Sequence, residues 1–152
     1  MPIRTLLRNG LILLVILAAG YYGLFPDQRG VPDVTSERST SSVEEKLEDA
    51  IRQRASDVQL KAVGHVIRLL PDDRDGSRHQ RFIIKTGTGR TILVAHNIDL
   101  APRVNGIAVD DRVEIYGEYE WNDKGGVIHW THHDPKGRHQ DGWIRHKGKL
   151  YQ

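Results

Sequence analysis

No cysteine occurs in the 152 residues. That excludes disulfides, thiolate metal sites, iron–sulfur clusters and a lipid-modified N-terminal cysteine. Any exported domain in this chain must be held by its core alone. Several catalytic signatures are also missing. There is no P-loop, no dinucleotide glycine fingerprint, no G-x-S-x-G elbow and no H-E-x-x-H helix. Nor is one charge in large excess. The chain has 22 Lys+Arg against 20 Asp+Glu, a formal net charge of +2 that names no partner. What is present is 38% hydrophobic and 28% charged residues, ordinary for a soluble domain. The length suits one domain with a modest core plus additional segments.

The distribution of charge says more than its sum. From Val58 to Gln152 there are 15 Lys+Arg and 12 Asp+Glu, and all eight histidines lie there. Five of them, His129, His132, His133, His139 and His146, fall between Gly125 and Gly148 together with Trp130 and Trp143. Protonated or metal-bound, they would make this part cationic.

Residues 1–25 read as a membrane signal. Arg4 and Arg8 precede an uncharged interval of 18 residues that ends at Asp27. As a helix it spans about 27 Å at about 1.5 Å per residue, close to the hydrocarbon thickness of about 30 Å. The basic flank predicts an N-in orientation, with the rest of the chain in the periplasm or exterior. Two fates fit. Residues 10–25 are a retained single-pass inner-membrane anchor, with Tyr21 and Tyr22 in the interfacial belt. Alternatively, cleavage at Ala18-Ala19-Gly20 releases a soluble secreted form. Residues 26–41 read as a linker. Residues 42–56 read as an amphipathic helix. Ser42 and Glu45 match a capping box, and Val43, Leu47, Ala50 and Ile51 recur at helical spacing.

Residues 57–152 change to strand period. Strands are expected over about 58–70 (broken by Gly64), 79–85, 90–96, 112–121 and 127–133, with an irregular connection between the third and fourth. Five short strands so connected predict an all-β, five-stranded OB-fold-like barrel, with an SH3-like or other small barrel as the alternative. Gly64 would let the first strand bend between sheets.

The runs "LLPDDRDGSRHQRFII", "LVAHNIDLAPR", "YGEYEWNDKGGVIHWTHHDPKGRH" and "GWIRHKGKLYQ" resemble a family of small exported bacterial proteins, domain of unknown function 3465. The resemblance covers about Gly64 to Gln152. It implies no established reaction, so chemistry must come from the residues.

On an extended fifth strand His129, Thr131 and His133 share one face and Ile128 and Trp130 the other. Imidazoles two apart on a strand stand about 7 Å apart at the backbone, near enough to converge on a metal or phosphate. Asp134 in the following turn and Glu118 on the fourth strand would complete a divalent metal set (Mg²⁺, Mn²⁺ or Zn²⁺) with His129 and His133. A hairpin through "NDKGG" brings Glu118 or Glu120 towards His129 or Thr131. His96 and Asp99 end the third strand. His96 also fits a buried histidine with a partner. Arg78, His79, Arg81, Arg103 and Arg138 suit an anionic substrate, because guanidinium forks match phosphate oxygens. In the catalytic reading His96, Asp99, His129, His133 and Arg81 do the chemistry, while Arg78, His79, Arg103, Trp130 and Arg138 bind substrate. The alternative for every one of these groups is a solvated face or a satisfied core residue.

The leading expectation is a metal-assisted phosphodiesterase, a nuclease, either tethered to the membrane or exported. Two alternatives stand beside it. One is a non-catalytic OB-fold module binding single-stranded nucleic acid or another polyanion through aromatics and basic residues. The other is a metal-binding envelope protein. The number of imidazoles favours the enzyme, since nucleic-acid binding alone favours Lys and Arg.

Overall fold

The computed structural model describes the backbone of residues 34–152 and side chains from residue 42 onward. The expected membrane segment, residues 10–25, and residues 26–33 of the expected linker lie outside the described residues. Among the described residues no helix is long and apolar enough to cross a membrane.

Helix α1 spans Val34–Gln53 and so begins eight residues before the Ser42 capping box. The expected linker is therefore helical from Val34. Its Ser- and Thr-rich part holds neither proline nor glycine, and each Ser or Thr costs only about half a kcal/mol in a helix. The C-terminus closes with paired bonds, Arg54 N–H to Ile51 O (3.1 Å) and Ala55 N–H to Ala50 O (2.9 Å). This is a Schellman cap with Arg54 at φ 52° where glycine is usual. Leu47 and Ala50 enter the core and Ile51 and Ala55 pack against it. The Glu48 carboxylate accepts from Arg90 Nε (3.0 Å) and Thr88 Oγ1 (2.8 Å), which fastens the helix to the turn after β2.

Seven strands follow: β1 Val58–Asp73, β2 His79–Thr86, β3 Thr91–Asn97, β4 Arg112–Glu120, β5 Val127–His129, β6 Trp143–His146 and β7 Lys149–Tyr151. The first half of β1 pairs with β4 and the second half with β2. β2 pairs with β3, β3 runs parallel to β5, and β5 pairs with β4. The first five strands thus close a ring. β6 pairs with β4 on the edge away from β1, next to β5, and β7 pairs with β6; neither was expected from the sequence.

Gly64 is where β1 changes partners, facing both Thr86 and Val113. A Cβ there would lie 2.6 Å from the Lys85 carbonyl oxygen. Only glycine allows the strand to turn so close to β2. Alternation then sorts the side chains. Leu60, Ala62, Val66, Phe82, Ile84, Val94, Ile115, Tyr119 and Ile128 point inward and are buried. Each fully buried large side chain contributes about 1.5–3 kcal/mol. Gln59, Arg81, Ala95, Glu118 and His129 alternate with these core residues and lie on the outer face.

The fifth strand is shorter than its sequence pattern. It stops at His129 because Trp130 takes a left-handed conformation, φ 49°. That single residue ends the alternation. His133 therefore does not share a strand face with His129, and Thr131 turns inward to full burial.

Candidate metal centre

The β4–β5 hairpin sets the register Glu118↔His129 and Glu120↔Val127. Directly opposed residues on one sheet face have Cβ atoms about 4.5–5.5 Å apart. His129 Nε2 accordingly stands 3.5 Å from Glu118 Oε1 and 3.8 Å from Glu120 Oε1. One ligand atom from each of the three residues lies within 4.8 Å of the other two. Two metal–ligand bonds of about 2.1 Å at a tetrahedral angle separate their ligand atoms by about 3.4 Å. The two spacings from His129 Nε2, 3.5 and 3.8 Å, are close to that requirement. His129 Nε2 is buried and makes no hydrogen bond. Three protein ligands with room for a fourth is the pattern of catalytic zinc sites.

His139 supports the cluster from the loop after β5. Its Nδ1 lies 3.4 Å from Glu118 Oε2, and its ring stacks on Trp130 at 3.9 Å and 12°. Glu118, only 13% exposed, thus stands between two imidazoles, one at each carboxylate oxygen. Gly142 brings this loop down onto β4. A Cβ there would overlap the Trp130 carbonyl oxygen and come within 2.7 Å of Tyr116 O.

The other expected ligands are occupied elsewhere. Asp134 accepts three backbone N–H bonds, from Lys136 (2.9 Å), Arg138 (2.6 Å) and His139 (2.9 Å). These amides, Lys136 first, hold its carboxyl down to about 2. Asp134 thus organises the loop and lies outside the Glu118, Glu120 and His129 group. His133, mostly exposed, pairs through Nδ1 with Asp141 Oδ2 at 2.7 Å. Asp141 also accepts the Asp134 N–H, so the pair is locked into the same loop. His132 Nδ1 donates to the His133 carbonyl.

His96 is a core residue. Its Nε2 lies 3.1 Å from the Pro102 carbonyl oxygen, which only accepts, so Nε2 carries the proton. Nδ1 then accepts from Thr131 Oγ1 at 2.9 Å. Both nitrogens are used, and burial pushes the pKa below 6.5. Of the two readings of His96, catalytic residue or buried histidine with a partner, this geometry is that of the second, with Thr131 as one partner. Asp99 takes both the Arg78 guanidinium (2.6 Å) and the Arg78 backbone N–H (2.7 Å).

The remaining cationic residues do not gather at the cluster. Arg81 donates twice to the Pro71 carbonyl oxygen and faces Asp73. Arg103 bonds Asp72. Arg81 and Arg103 line a separate groove with Leu69, Leu70 and Ile107. His79 opens β2 opposite Asn97. Arg138 contributes its backbone N–H to the Asp134 loop.

A sequence profile described as a protein of unknown function (DUF3465) matches residues 31–152. The chain belongs to the DUF3465 family. The match takes in every described strand and all members of the cluster. No curated protein matches the chain.

Two further residues of the site carried weak or no sequence signal. Glu120 was expected to approach His129 or Thr131 only as an alternative to Glu118, and its place beside His129 depends on the hairpin register. Gln59 has no motif at all. It stands opposite Glu118 across β1 and β4, on the side away from His129.

Proposed function

We propose that this DUF3465 member is an exported or membrane-tethered OB-fold domain that binds one divalent metal ion and uses it to hydrolyse phosphodiesters, as a nuclease does. The carrying observation is the Glu118, Glu120 and His129 trio, in which His129 Nε2 faces both carboxylates and makes no hydrogen bond. Mixed carboxylate and imidazole donors suit Zn²⁺ or Mn²⁺ better than Mg²⁺, which prefers all-oxygen shells. The ring order β1-β2-β3-β5-β4 with a parallel β3–β5 pair supports the OB-fold reading. The basic flank and uncharged run of residues 10–25 support the tether.

In this reading Glu118, Glu120 and His129 would hold the ion, which would supply Lewis-acid activation of a water and of the phosphoryl oxygen. The water oxygen attacks phosphorus and gives up a proton, and the bond to the leaving oxygen breaks as that oxygen takes up a proton. His139, whose Nδ1 lies 3.4 Å from Glu118 Oε2, is the loop imidazole beside the cluster and would carry the proton. Charge stabilisation falls to the metal and its neighbours, because Arg78, Arg81 and Arg103 are held in pairs elsewhere.

One observation favours a non-catalytic binding module. Tyr116 and Trp143 stack at 5.9 Å beside the cluster, with Lys61 and Arg145 over the Trp143 ring. Aromatic and basic groups on one face suit single-stranded nucleic acid. Cleavage of labelled single- and double-stranded DNA and RNA in Mg²⁺, Mn²⁺ and Zn²⁺ separates the readings. The hydrolase predicts cleavage that is lost in Glu118→Ala. Steeply salt-dependent binding without cleavage would establish the module instead, and metal binding with neither would leave a metal-binding envelope protein.

A further inference from the structure

Among the described residues, two buried side-chain nitrogens have no hydrogen-bond partner, Gln59 Nε2 and His129 Nε2. They belong to one row of the sheet. Gln59 on β1 faces Glu118 on β4, and Glu118 faces His129 on β5. An unmet buried polar group costs free energy, so two beside one carboxylate call for a common occupant. Their chemical needs differ. Neutral imidazole offers a lone pair and suits a cation. A carboxamide nitrogen has no lone pair to give a metal and needs an oxygen acceptor. A metal ion carrying an oxygen ligand meets both needs.

We propose that Gln59 is the anion-holding arm of this centre, donating from Nε2 to a non-bridging oxygen of a phosphate ester bound to the ion on Glu118, Glu120 and His129. The proposal rests on the metal reading above. Charge sets the substrate class. Two carboxylates and one divalent ion sum to zero, and Gln59 adds none. The cations nearest Gln59 are engaged elsewhere, Lys46 Nζ on the Gln59 carbonyl oxygen at 2.8 Å and Lys61 on Glu114 at 2.9 Å. A neutral socket with a neutral donor suits a singly charged phosphodiester, whereas a doubly charged monoester needs cationic partners. Gln59 is thus a specificity residue for internal phosphodiester bonds over terminal phosphates.

The test uses the full-length protein loaded with Mn²⁺, whose paramagnetism broadens the ³¹P signal of any phosphate bound beside it. Dimethyl phosphate and methyl phosphate are the probes. The wild type binds dimethyl phosphate more tightly than methyl phosphate. Gln59→Leu keeps Mn²⁺ affinity within about threefold and loses about tenfold in dimethyl phosphate affinity, the worth of one hydrogen bond. Its metal-free melting temperature stays level or rises, because an unmet amide has been replaced by an apolar side chain of similar length. Unchanged dimethyl phosphate affinity in Gln59→Leu overturns the proposal. So does a preference for methyl phosphate. Absence of Mn²⁺ binding by the wild type would defeat the metal reading itself, a different failure.

Discussion

His96 and His129 occupy neighbouring strands, since β3 and β5 run side by side. Their surroundings are opposite. His96 is fully buried, with one nitrogen on Pro102 O and the other on Thr131 Oγ1. His129 is partly exposed, its Nε2 unbonded between two carboxylates. The first arrangement is complete and can accept nothing more. The second is costly unless something is bound. Counting histidines does not separate the two; accounting for each ring nitrogen does.

The comparison is sharpened most by removing a ligand. Glu118→Ala should lower Zn²⁺ or Mn²⁺ affinity by about three orders of magnitude, about 4 kcal/mol, read by titration calorimetry. The metal-free melting temperature should move little, since the carboxylate is held only by long contacts to His129 and His139. A variant that unfolds without metal would place Glu118 with His96 among the structural residues.

The mirror-image variant is His96→Ala. It leaves a cavity and frees Thr131 and Pro102, a loss of about 2–4 kcal/mol. At about 4–8 °C per kcal/mol this lowers melting by on the order of 10–20 °C, with metal affinity retained in whatever fraction remains folded. Loss of metal binding at unchanged stability would reverse the two roles.

Asp134→Ala should cost about 1–3 kcal/mol, seen as faster proteolysis of the 134–141 loop. Metal affinity should fall less than in Glu118→Ala, because Asp134 reaches the centre only through His139. An equal fall in affinity would make Asp134 a ligand after all.

The smallest effect is in pH. The unfolded chain protonates His96 at about 6.5, while burial keeps it neutral when folded. The unfolded state then binds more protons, so stability declines as pH falls below about 6.5. A second loss follows at lower pH. Asp111, bonded by His146, and Asp134, bonded by the loop amides, both sit at about 2 against 3.8. Their contribution is complete above about 3.8 and disappears as pH falls through about 2. Urea unfolding at pH 8, 5 and 2.5 should show both steps. His96→Gln should remove only the upper one, and persistence of that step would assign it elsewhere.

Much of the frame was legible in the sequence. Strand period and Gly64 foretold five strands in order with a bent first one, and "NDKGG" foretold the hairpin that pairs Glu118 with His129. The errors have local causes. Trp130 at positive φ ended the fifth strand, which no pattern of apolar residues encodes, and so His133 and Thr131 were placed on the wrong face. Asp134 looked like a ligand because its type is right; its use by three backbone amides depends on loop geometry. Gln59 was invisible because its partner lies on a strand 59 residues away. The strands β6 and β7 are four and three residues long, too brief for a period to show.

The most direct measurement is anomalous diffraction at the zinc edge from crystals of the protein soaked in Zn²⁺. The account predicts one ion about 2.0–2.2 Å from His129 Nε2 and from an oxygen each of Glu118 and Glu120, with no ion at His96. An ion held by His133 and Asp141 instead, or none at Glu118, would contradict it.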